Sequence, residues 1–168
     1  EDVSPRVTQL DVIFEAVTNA IQADATEIIC TVNSHDNPLP EAEEVIVDKR
    51  VDTITIKDNG VGFRLDRYDA FCEYRSEKNK DLGCKGVGRL IFLKVFDKID
   101  VISRIKADGE IRSFNFSLDF DPAKATSQKE TISENSTEIS FSGVTALFLD
   151  KSKDLDRLFS NRKGRSVN

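Results

Sequence analysis

Two glycine turns near the middle of the chain constrain its fold more than any other feature. The first turn, residues 58–62 (DNGVG), follows a β-branched run, and the second, residues 83–89 (GCKGVGR), precedes a strongly apolar segment. Neither turn completes the G-x-x-x-x-G-K-[ST] pattern of a P-loop or the G-x-G-x-x-G pattern of a dinucleotide-binding fold. The fold must therefore place one glycine turn after a strand and another before a helix, and it is neither a P-loop fold nor a dinucleotide-binding fold.

The apolar periodicity predicts helices and strands on both sides of these turns. Leu10, Ile13, Val17 and Ile21 recur at helical spacing, which predicts an amphipathic helix over residues 8–23. Further helices are predicted at 65–73, at 87–96 and around 155–159. Strands are predicted at 27–33, 45–47, 53–56, 99–105, 111–118 and 137–141, with the second and third of them paired around residues 48–52.

The segments between these elements are predicted to be connections. Residues 34–43 and 121–136 are polar and are expected to be loops, and Asp108-Gly109 predicts a hairpin between two strands. Taken together, the elements indicate an α/β (α+β) fold. We expect a two-layer sandwich with helices on one face of a mixed, largely antiparallel sheet.

The composition suits one domain in a reducing compartment. The chain has 168 residues, of which 39% are hydrophobic, and we expect residues 1–160 to form the domain. Residues 161–168 are expected to be a tail or the start of a linker to a missing downstream domain. The three cysteines, Cys30, Cys72 and Cys84, fit neither a disulfide framework nor a metal-ligand spacing, which favours a cytoplasmic location.

The charge and hydropathy of the chain exclude some partners and favour another. No apolar stretch reaches the roughly 20 residues of a membrane helix, so no membrane partner is expected. The net charge of −6 argues against direct nucleic-acid binding by this domain. Residues 64–89 nevertheless carry seven basic side chains against five acidic ones. This basic segment suits a polyanionic small ligand, although an ordinary solvated loop accounts for the charges alone.

Glu15 and Asn19 lie one turn apart on the first predicted helix, roughly opposite its apolar stripe. An amide oxygen can ligate Mg²⁺, which accepts few protein ligands and keeps several waters. A neighbouring carboxylate can orient and deprotonate an attacking water. The pair therefore fits a metal–nucleotide site, and a solvated helix face is the alternative.

Asp58 ends a β-branched strand and opens the first glycine turn. Its carboxylate is placed to accept a hydrogen bond from an exocyclic amine such as that of adenine. Gly60 and Gly62 permit a positive φ and the close approach of a flat base. The alternative is a plain strand-exit turn, because Asp-Asn-Gly is common turn chemistry.

The second glycine turn has the composition of an anion site. Gly83, Gly86 and Gly88 precede a predicted buried helix, and Lys85 and Arg89 add positive charge. Successive backbone N–H groups at a helix start bind phosphate, helped by the helix dipole. A simple helix cap is the alternative, but three glycines within six residues exceed what a cap needs.

The order of these motifs resembles a known family. E-x-x-x-N-A begins at Glu15, D-x-G-x-G at Asp58, G-x-x-G-V-G at Gly83, and S/G-T-x-I includes Thr137. This order, over about residues 8–141, resembles the GHKL ATPases, which include gyrase B subunits, heat-shock chaperones of the ninety-kilodalton class, histidine kinases and MutL. The run around the second glycine turn is most similar to prokaryotic chaperone-like and MORC-type ATPases.

The resemblance implies a role for each matching residue. It implies that Glu15 is the general base and Asn19 the magnesium-binding amide. It implies that Asp58 binds adenine, that Gly62 lies under the base and that Thr137 shares a water with the aspartate.

The resemblance also implies a phosphate-contacting turn at Gly86, Val87 and Gly88. Residues 74–85, which include Lys78, would then be the ATP lid. This sequence departs from the MutL pattern at Asp24, where glycine is usual.

The function implied by the resemblance is Mg²⁺-dependent binding and hydrolysis of ATP, with ADP as product, coupled to lid closure and conformational switching. The expected partners are a downstream transducer or effector domain and, in an ATP-dependent manner, a second copy of the protein. The isolated domain is expected to be slow or inactive. Two alternatives remain open: the catalytic domain of a histidine kinase, and a regulatory ATP-binding module that does not hydrolyse its ligand. Glu15 favours hydrolysis over phosphotransfer.

Overall fold

The computed structural model describes residues 7–38, 47–73 and 88–145. Its helices are α1 (Gln9–Gln22), α2 (Leu65–Glu73) and α3 (Gly88–Val95). Its strands are β1 (Ile28–Pro38), β2 (Val47–Asp58), β3 (Phe96–Ile105), β4 (Glu110–Phe116), β5 (Thr126–Lys129) and β6 (Ser136–Val144). They form one sheet in the order β1-β2-β6-β3-β4-β5. The predicted α+β sandwich is confirmed, and all pairings between these described strands are antiparallel, where a mixed sheet was expected.

All three helices share one hydrophobic core with the sheet. Alternate residues of the central strands are buried, such as Val101 on β3 and Phe114 and Phe116 on β4, whereas Asn115 is exposed. Rings on α2, on β4 and in the flanking loops make edge-to-face or tilted contacts: Phe63, Tyr68, Phe71, Phe114, Phe116 and Phe120. Because aromatic rings bury large apolar areas, this cluster holds α2 against the sheet.

The most buried face of helix α1 is rotated by about one residue position from the stripe that the apolar pattern predicts. Its buried apolar residues are Val12, Ala16 and Ala20, whereas Ile21 is 61% exposed and Phe14 is 63% exposed. The predicted stripe is therefore correct only in part: Leu10 and Ile13 are partly buried and pack against the core, whereas Ile21 does not. Alanine side chains allow the helix to lie close to α3 and the sheet, so close packing rather than side-chain hydrophobicity selects the buried face.

Local chemistry fixes both ends of α1. At the start, Thr8 and Asp11 form a capping box in which each side chain binds the other residue's backbone N–H. Just after the end, Asp24 adopts a φ of 60°, a left-handed conformation that aspartate tolerates better than most non-glycine residues. Glycine would adopt this conformation without the steric cost that a Cβ brings.

The edge of the sheet differs most from the sequence prediction. Residues 47–58 form one continuous strand rather than parts of two strands paired around residues 48–52, and β1 continues to Pro38 through residues predicted to be a loop. The two strands pair along their lengths, with a bulge at Asn33/Ser34. Polar side chains do not end these strands because the backbones of β1 and β2 satisfy each other's hydrogen bonds.

Other predicted elements agree more closely with the structure. Helix α2 has the predicted bounds, and Gly109 in the predicted hairpin turn has a φ of 54°. Strand β5 occurs inside the segment 121–136 that was expected to be a loop. The helix predicted around residues 155–159 and the tail at 161–168 lie outside the described residues. Within the described part of the chain, the helices are too short or too polar to cross a bilayer.

Candidate functional site

A row of four polar side chains crosses the helix-facing side of the sheet at one level. Asp58 on β2 pairs with Thr137 on β6, Thr137 with Ser103 on β3, and Ser103 with Arg112 on β4. All four residues are buried. We call them the polar row. Because an unpaired buried polar group costs free energy, the hydrogen bonds of these side chains indicate what each one does.

Asp58 is only partly satisfied by the protein. Its Oδ1 accepts a 2.8 Å hydrogen bond from the Gly60 N–H, and within the described residues its Oδ2 has no hydrogen-bond partner. Burial raises the pKa of the carboxyl above its ordinary value, and the Gly60 hydrogen bond opposes that rise. One carboxylate oxygen therefore remains available to a ligand that donates a hydrogen bond.

Two hydroxyl groups occupy the centre of the polar row. Ser103 Oγ lies 3.1 Å from Thr137 Oγ1 and accepts a 2.9 Å hydrogen bond from the Phe63 N–H. Ser103 is completely buried. The hydroxyl pair therefore connects the sheet directly to the glycine turn that follows β2.

The two glycines of this turn are required for different reasons. Gly62 has a φ of 71°, and a Cβ there would lie 2.4 Å from Ser103 Oγ and 3.2 Å from Thr137 Oγ1. Gly60 does not use the positive φ that glycine permits; a Cβ there would instead lie 2.5 Å from the Ala23 carbonyl oxygen. Gly62 thus lies against the hydroxyl pair, and Gly60 lies against the end of α1.

The other end of the polar row is an ion pair. Arg112 contacts Glu110 Oε1 through its Nη2 at 2.6 Å and through its Nε at 3.1 Å, and it donates from Nη1 to the Phe63 carbonyl at 3.0 Å. Its guanidinium lies 4.9 Å from the centre of the Tyr68 ring. Burial alone would raise the pKa of Glu110, but hydrogen bonds from Arg112 and neighbouring side chains lower it below its usual value.

A cavity of about 390 Å³ lies between the helices and the Asp58 end of the polar row. Five of the predicted site residues line it: Glu15, Asn19, Asp58, Gly62 and Thr137. Much of the remaining wall is apolar and includes Ala16, Phe71, Phe92, Val101, Phe116 and Ile139. Such a cavity can hold a flat apolar group at its wall while a few polar groups fix its orientation.

Glu15 and Asn19 reach this cavity from one face of α1, next to the small buried residues Ala16 and Ala20. Both side chains are half-buried. Within the described ranges, no group of three or more His, Cys, Asp or Glu could hold a metal ion. Any divalent cation here would depend on one or two protein oxygens and on oxygens of the ligand, a donor set that Mg²⁺ accepts.

The predicted phosphate turn is described only at its last residues. Gly88 is the first residue of α3, and Arg89 follows in its first turn. The remaining predicted members of this region lie outside the described residues: Lys78, Gly83, Lys85, Gly86 and Val87.

Sequence reasoning missed Ser103 and Arg112. A signal was present, because each stands in a strand at a position whose alternate neighbours are apolar: Val101 and Ile105 flank Ser103, and Phe114 follows Arg112 by two residues. A polar residue on the buried face of a strand needs a partner. That rule identifies both residues as candidates for the interior of the site.

Comparison with known proteins places the chain in a family. Residues 7–147 match the family model of the histidine kinase-, DNA gyrase B- and HSP90-like ATPases. Among curated proteins, none matches the chain.

Two solved structures illustrate the shared fold. The N-terminal domain of a DNA repair protein is 17% identical, with a TM-score of 0.56, and the match covers 89% of this chain and 40% of that one. The 43K ATPase domain of Thermus thermophilus gyrase B, solved with an aminocoumarin, is also 17% identical, with a TM-score of 0.54 and coverage of 82% and 34%. The chain thus spans well under half the length of these structures. By its family match over most of its length, it belongs to the histidine kinase-, DNA gyrase B- and HSP90-like ATPases.

Proposed function

We propose that this chain binds ATP and ADP in the cavity beside Asp58, together with Mg²⁺, and hydrolyses ATP. One observation carries the proposal: Glu15, Asn19, Asp58 and Thr137 line the same cavity although they come from three widely separated segments of the chain. Two of these residues come from α1, one from the end of β2 and one from β6. A convergence of carboxylate, amide and hydroxyl groups on an otherwise largely apolar cavity is typical of a small-molecule site.

Adenine would occupy the Asp58 end of this cavity. Asp58 Oδ2 would accept a hydrogen bond from the 6-amino group, and Gly62 would allow the base to lie close to the backbone of the turn. The apolar wall near Phe92 and Ile139 would cover the faces of the base. This arrangement supports the adenine role that the resemblance implies for Asp58 and Thr137.

The phosphates would lie toward α1 and the start of α3. Asn19 is the residue that would hold Mg²⁺, whose charge would neutralise the phosphate oxygens when it is bound. Glu15, one turn away, would orient the attacking water and accept its proton. On the evidence of the sequence alone, the turn at residues 83–89 and Lys78, in the lid at 74–85, would bind the phosphates and complete the proposed site.

The proposal also covers the larger assembly. A downstream transducer or effector domain and ATP-dependent pairing with a second copy would hold the lid closed, so the chain alone would turn over slowly. The assignment to chaperone-like or MORC-like ATPases stays a prediction. The two alternatives predict different products: a histidine kinase domain would transfer phosphate to a histidine, and a regulatory module would bind ATP without releasing phosphate.

The adenine assignment is tested by calorimetry of ADP binding to the full chain with Mg²⁺. Asp58→Asn should weaken binding by about 10–100-fold, because a hydrogen bond to a charged group contributes about 1.5–3 kcal/mol. The matched control is Asp100→Asn, on strand β3, which is separated from β2 by β6, and on the opposite face of the sheet. Equal ADP affinity in Asp58→Asn and in the unchanged chain would remove the adenine assignment.

The hydrolysis assignment is tested by phosphate release from the protein that contains this chain. Glu15→Ala should retain ATP binding and lose about 10²–10⁴-fold in rate, since removal of a general base has little effect on ground-state binding. Asn19→Ala should lose both ATP binding and hydrolysis under conditions where these require Mg²⁺. Glu138→Ala, on the far face of β6, is the control. Hydrolysis at the unchanged rate by Glu15→Ala would show that Glu15 is not the general base. ATP binding without phosphate release by the unchanged protein would favour the regulatory-module alternative.

A further inference from the structure

We propose that Ser103 is a positioning residue that makes the Thr137 hydroxyl a hydrogen-bond donor toward the cavity and thereby selects adenine over 6-oxopurines. The proposal rests on the proposed function, because it concerns which base the Asp58 end of the cavity accepts. Ser103 does not line the cavity. It acts through Thr137 and through the glycine turn.

The direction of the hydrogen bond between the two hydroxyls follows from the other partner of Ser103. A serine hydroxyl has one proton to donate and two lone pairs that accept. One lone pair accepts from the Phe63 N–H. If Thr137 also donated to Ser103, the serine proton would need another acceptor, and the hydrogen bonds of the described residues provide none. An unsatisfied buried donor is costly, so Ser103 donates to Thr137 across the 3.1 Å contact.

This direction determines what the cavity presents to a base. Thr137 accepts from Ser103, so its own proton is free to point toward a ligand. Asp58 Oδ2, on the neighbouring strand, is an acceptor. The site therefore presents one acceptor and one donor on adjacent strands, linked by the pairing of Asp58 with Thr137.

Adenine matches that pattern, and a 6-oxopurine reverses it. Adenine has an amino donor at position 6 next to an acceptor nitrogen at position 1, whereas guanine has an acceptor oxygen at position 6. Hypoxanthine has the same oxygen, with a protonated nitrogen beside it. A bound 6-oxopurine would place an acceptor against the Asp58 carboxylate and a donor against the Thr137 proton. A site that leaves buried polar groups mispaired discriminates strongly against the wrong ligand.

Ser103 also fixes the turn on which the base would lie. Its hydroxyl accepts a hydrogen bond from the Phe63 N–H, and Arg112, next along the polar row, donates one to the Phe63 carbonyl. Both backbone groups of the residue after Gly62 are therefore tied to the sheet. The close approach of Gly62 to Ser103 Oγ, which leaves no room for a Cβ, shows how tightly the turn lies against this hydroxyl.

The test compares ADP with inosine diphosphate (IDP), which carries hypoxanthine, by calorimetry on the full chain. Removal of the hydroxyl in Ser103→Ala frees Thr137 to accept as well as donate. We expect ADP affinity to fall by about 3–10-fold while IDP affinity stays constant or rises, so the ADP-to-IDP preference falls by at least the same factor. The matched control is Ser140→Ala, on the strand of Thr137 but on the opposite face of the sheet, where it breaks a 3.3 Å hydroxyl pair with Thr55 on β2. It should leave both affinities unchanged.

The outcomes are distinguishable. Equal loss of ADP and IDP binding in Ser103→Ala would show that Ser103 only supports the fold. An unchanged ratio of ADP to IDP affinity would show that Ser103 does not orient Thr137. Either result overturns the proposal and leaves the proposed function standing. Binding of neither nucleotide by the unchanged chain overturns the proposed function itself. If Ser103→Ala does not fold, Ser103→Cys, with a weak donor of similar shape, should show a smaller fall in preference, and an unchanged preference there would equally overturn the proposal.

Discussion

A buried carboxylate lies at each end of the polar row: Asp58 at one end, and Glu110, the ion-pair partner of Arg112, at the other. The two are nearly equally buried, but their pKa values shift in opposite directions. Asp58 is 7% exposed and Glu110 is 8% exposed. Burial raises the pKa of Asp58, whereas Arg112 and its neighbours lower the pKa of Glu110 despite its burial. The difference lies in the partners: Glu110 is paired with a guanidinium, and Asp58 has one backbone hydrogen bond and a cavity beside it.

This contrast separates a structural group from a binding group. A buried charge that is fully paired contributes to a stable fold, and its removal leaves the partner unpaired. A buried charge that is half-satisfied destabilises the folded protein and is compensated when a ligand supplies the missing partner. We therefore expect the Glu110 end to govern stability and the Asp58 end to govern affinity.

The largest expected effect comes from breaking the ion pair. Arg112→Met should lower the free energy of unfolding by about 3–5 kcal/mol, because it leaves the Glu110 carboxylate buried without its main partner. Urea unfolding monitored by circular dichroism measures the loss. Arg104→Met, an exposed arginine on β3, is the control and should change stability by less than about 0.5 kcal/mol. A loss of similar size in both variants would contradict the structural role of the Arg112 end.

A second, smaller effect contrasts neutralisation of the two carboxylates. Glu110→Gln should destabilise the nucleotide-free protein by about 1–3 kcal/mol, since charge-assisted hydrogen bonds to Arg112 are weakened. Asp58→Asn should instead leave the melting temperature unchanged or raise it, because a charge whose burial is unfavourable is removed while Oδ1 can still accept from Gly60. Thermal unfolding at neutral pH compares the two. If Asp58→Asn destabilises as much as Glu110→Gln, the two ends of the row do not differ as described.

The smallest effect is a difference in pH dependence. The folded-state pKa of Asp58 is raised, so on acidification its carboxylate protonates early and ADP affinity falls, while the nucleotide-free fold gains rather than loses stability from this group. The folded-state pKa of Glu110 is lowered, so its contribution to stability is present above its unfolded pKa and is lost only as the pH falls through the lower folded value. ADP affinity and urea stability measured over the same acidic series should therefore separate, with affinity lost first. The residual ADP binding of Asp58→Asn should not weaken in the pH range where Asp58 protonates. If the unchanged chain loses ADP affinity and the fold at the same pH, the assignment of Asp58 to ligand binding is contradicted.

Motif order allowed much of the candidate site to be identified before the structure. Three short patterns indicate Glu15, Asn19, Asp58 and Thr137, and the structure brings all four residues to one cavity. Ser103 was not selected, because a single serine in an apolar strand belongs to no motif. Its significance depends on the pairing of β3 with β6, a contact between residues 34 positions apart.

The helices and the central strands followed from local rules, and the edges of the fold did not. Helix α2 and the hairpin at Gly109 depend on residues close in sequence, so periodicity and turn chemistry were sufficient. The length of β1 and β2 depends on each strand satisfying the other's backbone, which overrides the polar composition of residues 34–38. The most buried face of α1 depends on how closely alanines can approach the sheet, and hydrophobicity alone selected the adjacent face, of which Leu10 and Ile13 are only partly buried.

The sequence by itself therefore determined the chemical groups of this protein, the order in which they occur and the class of fold that carries them. Only the tertiary structure decided which buried polar groups are paired and which are left available. Pairing across a sheet is a property of strand register, and register joins residues that are far apart in the chain. For that reason Asp58 and Glu110, which are both acidic residues at the end of a strand, become a candidate ligand acceptor and a structural ion pair.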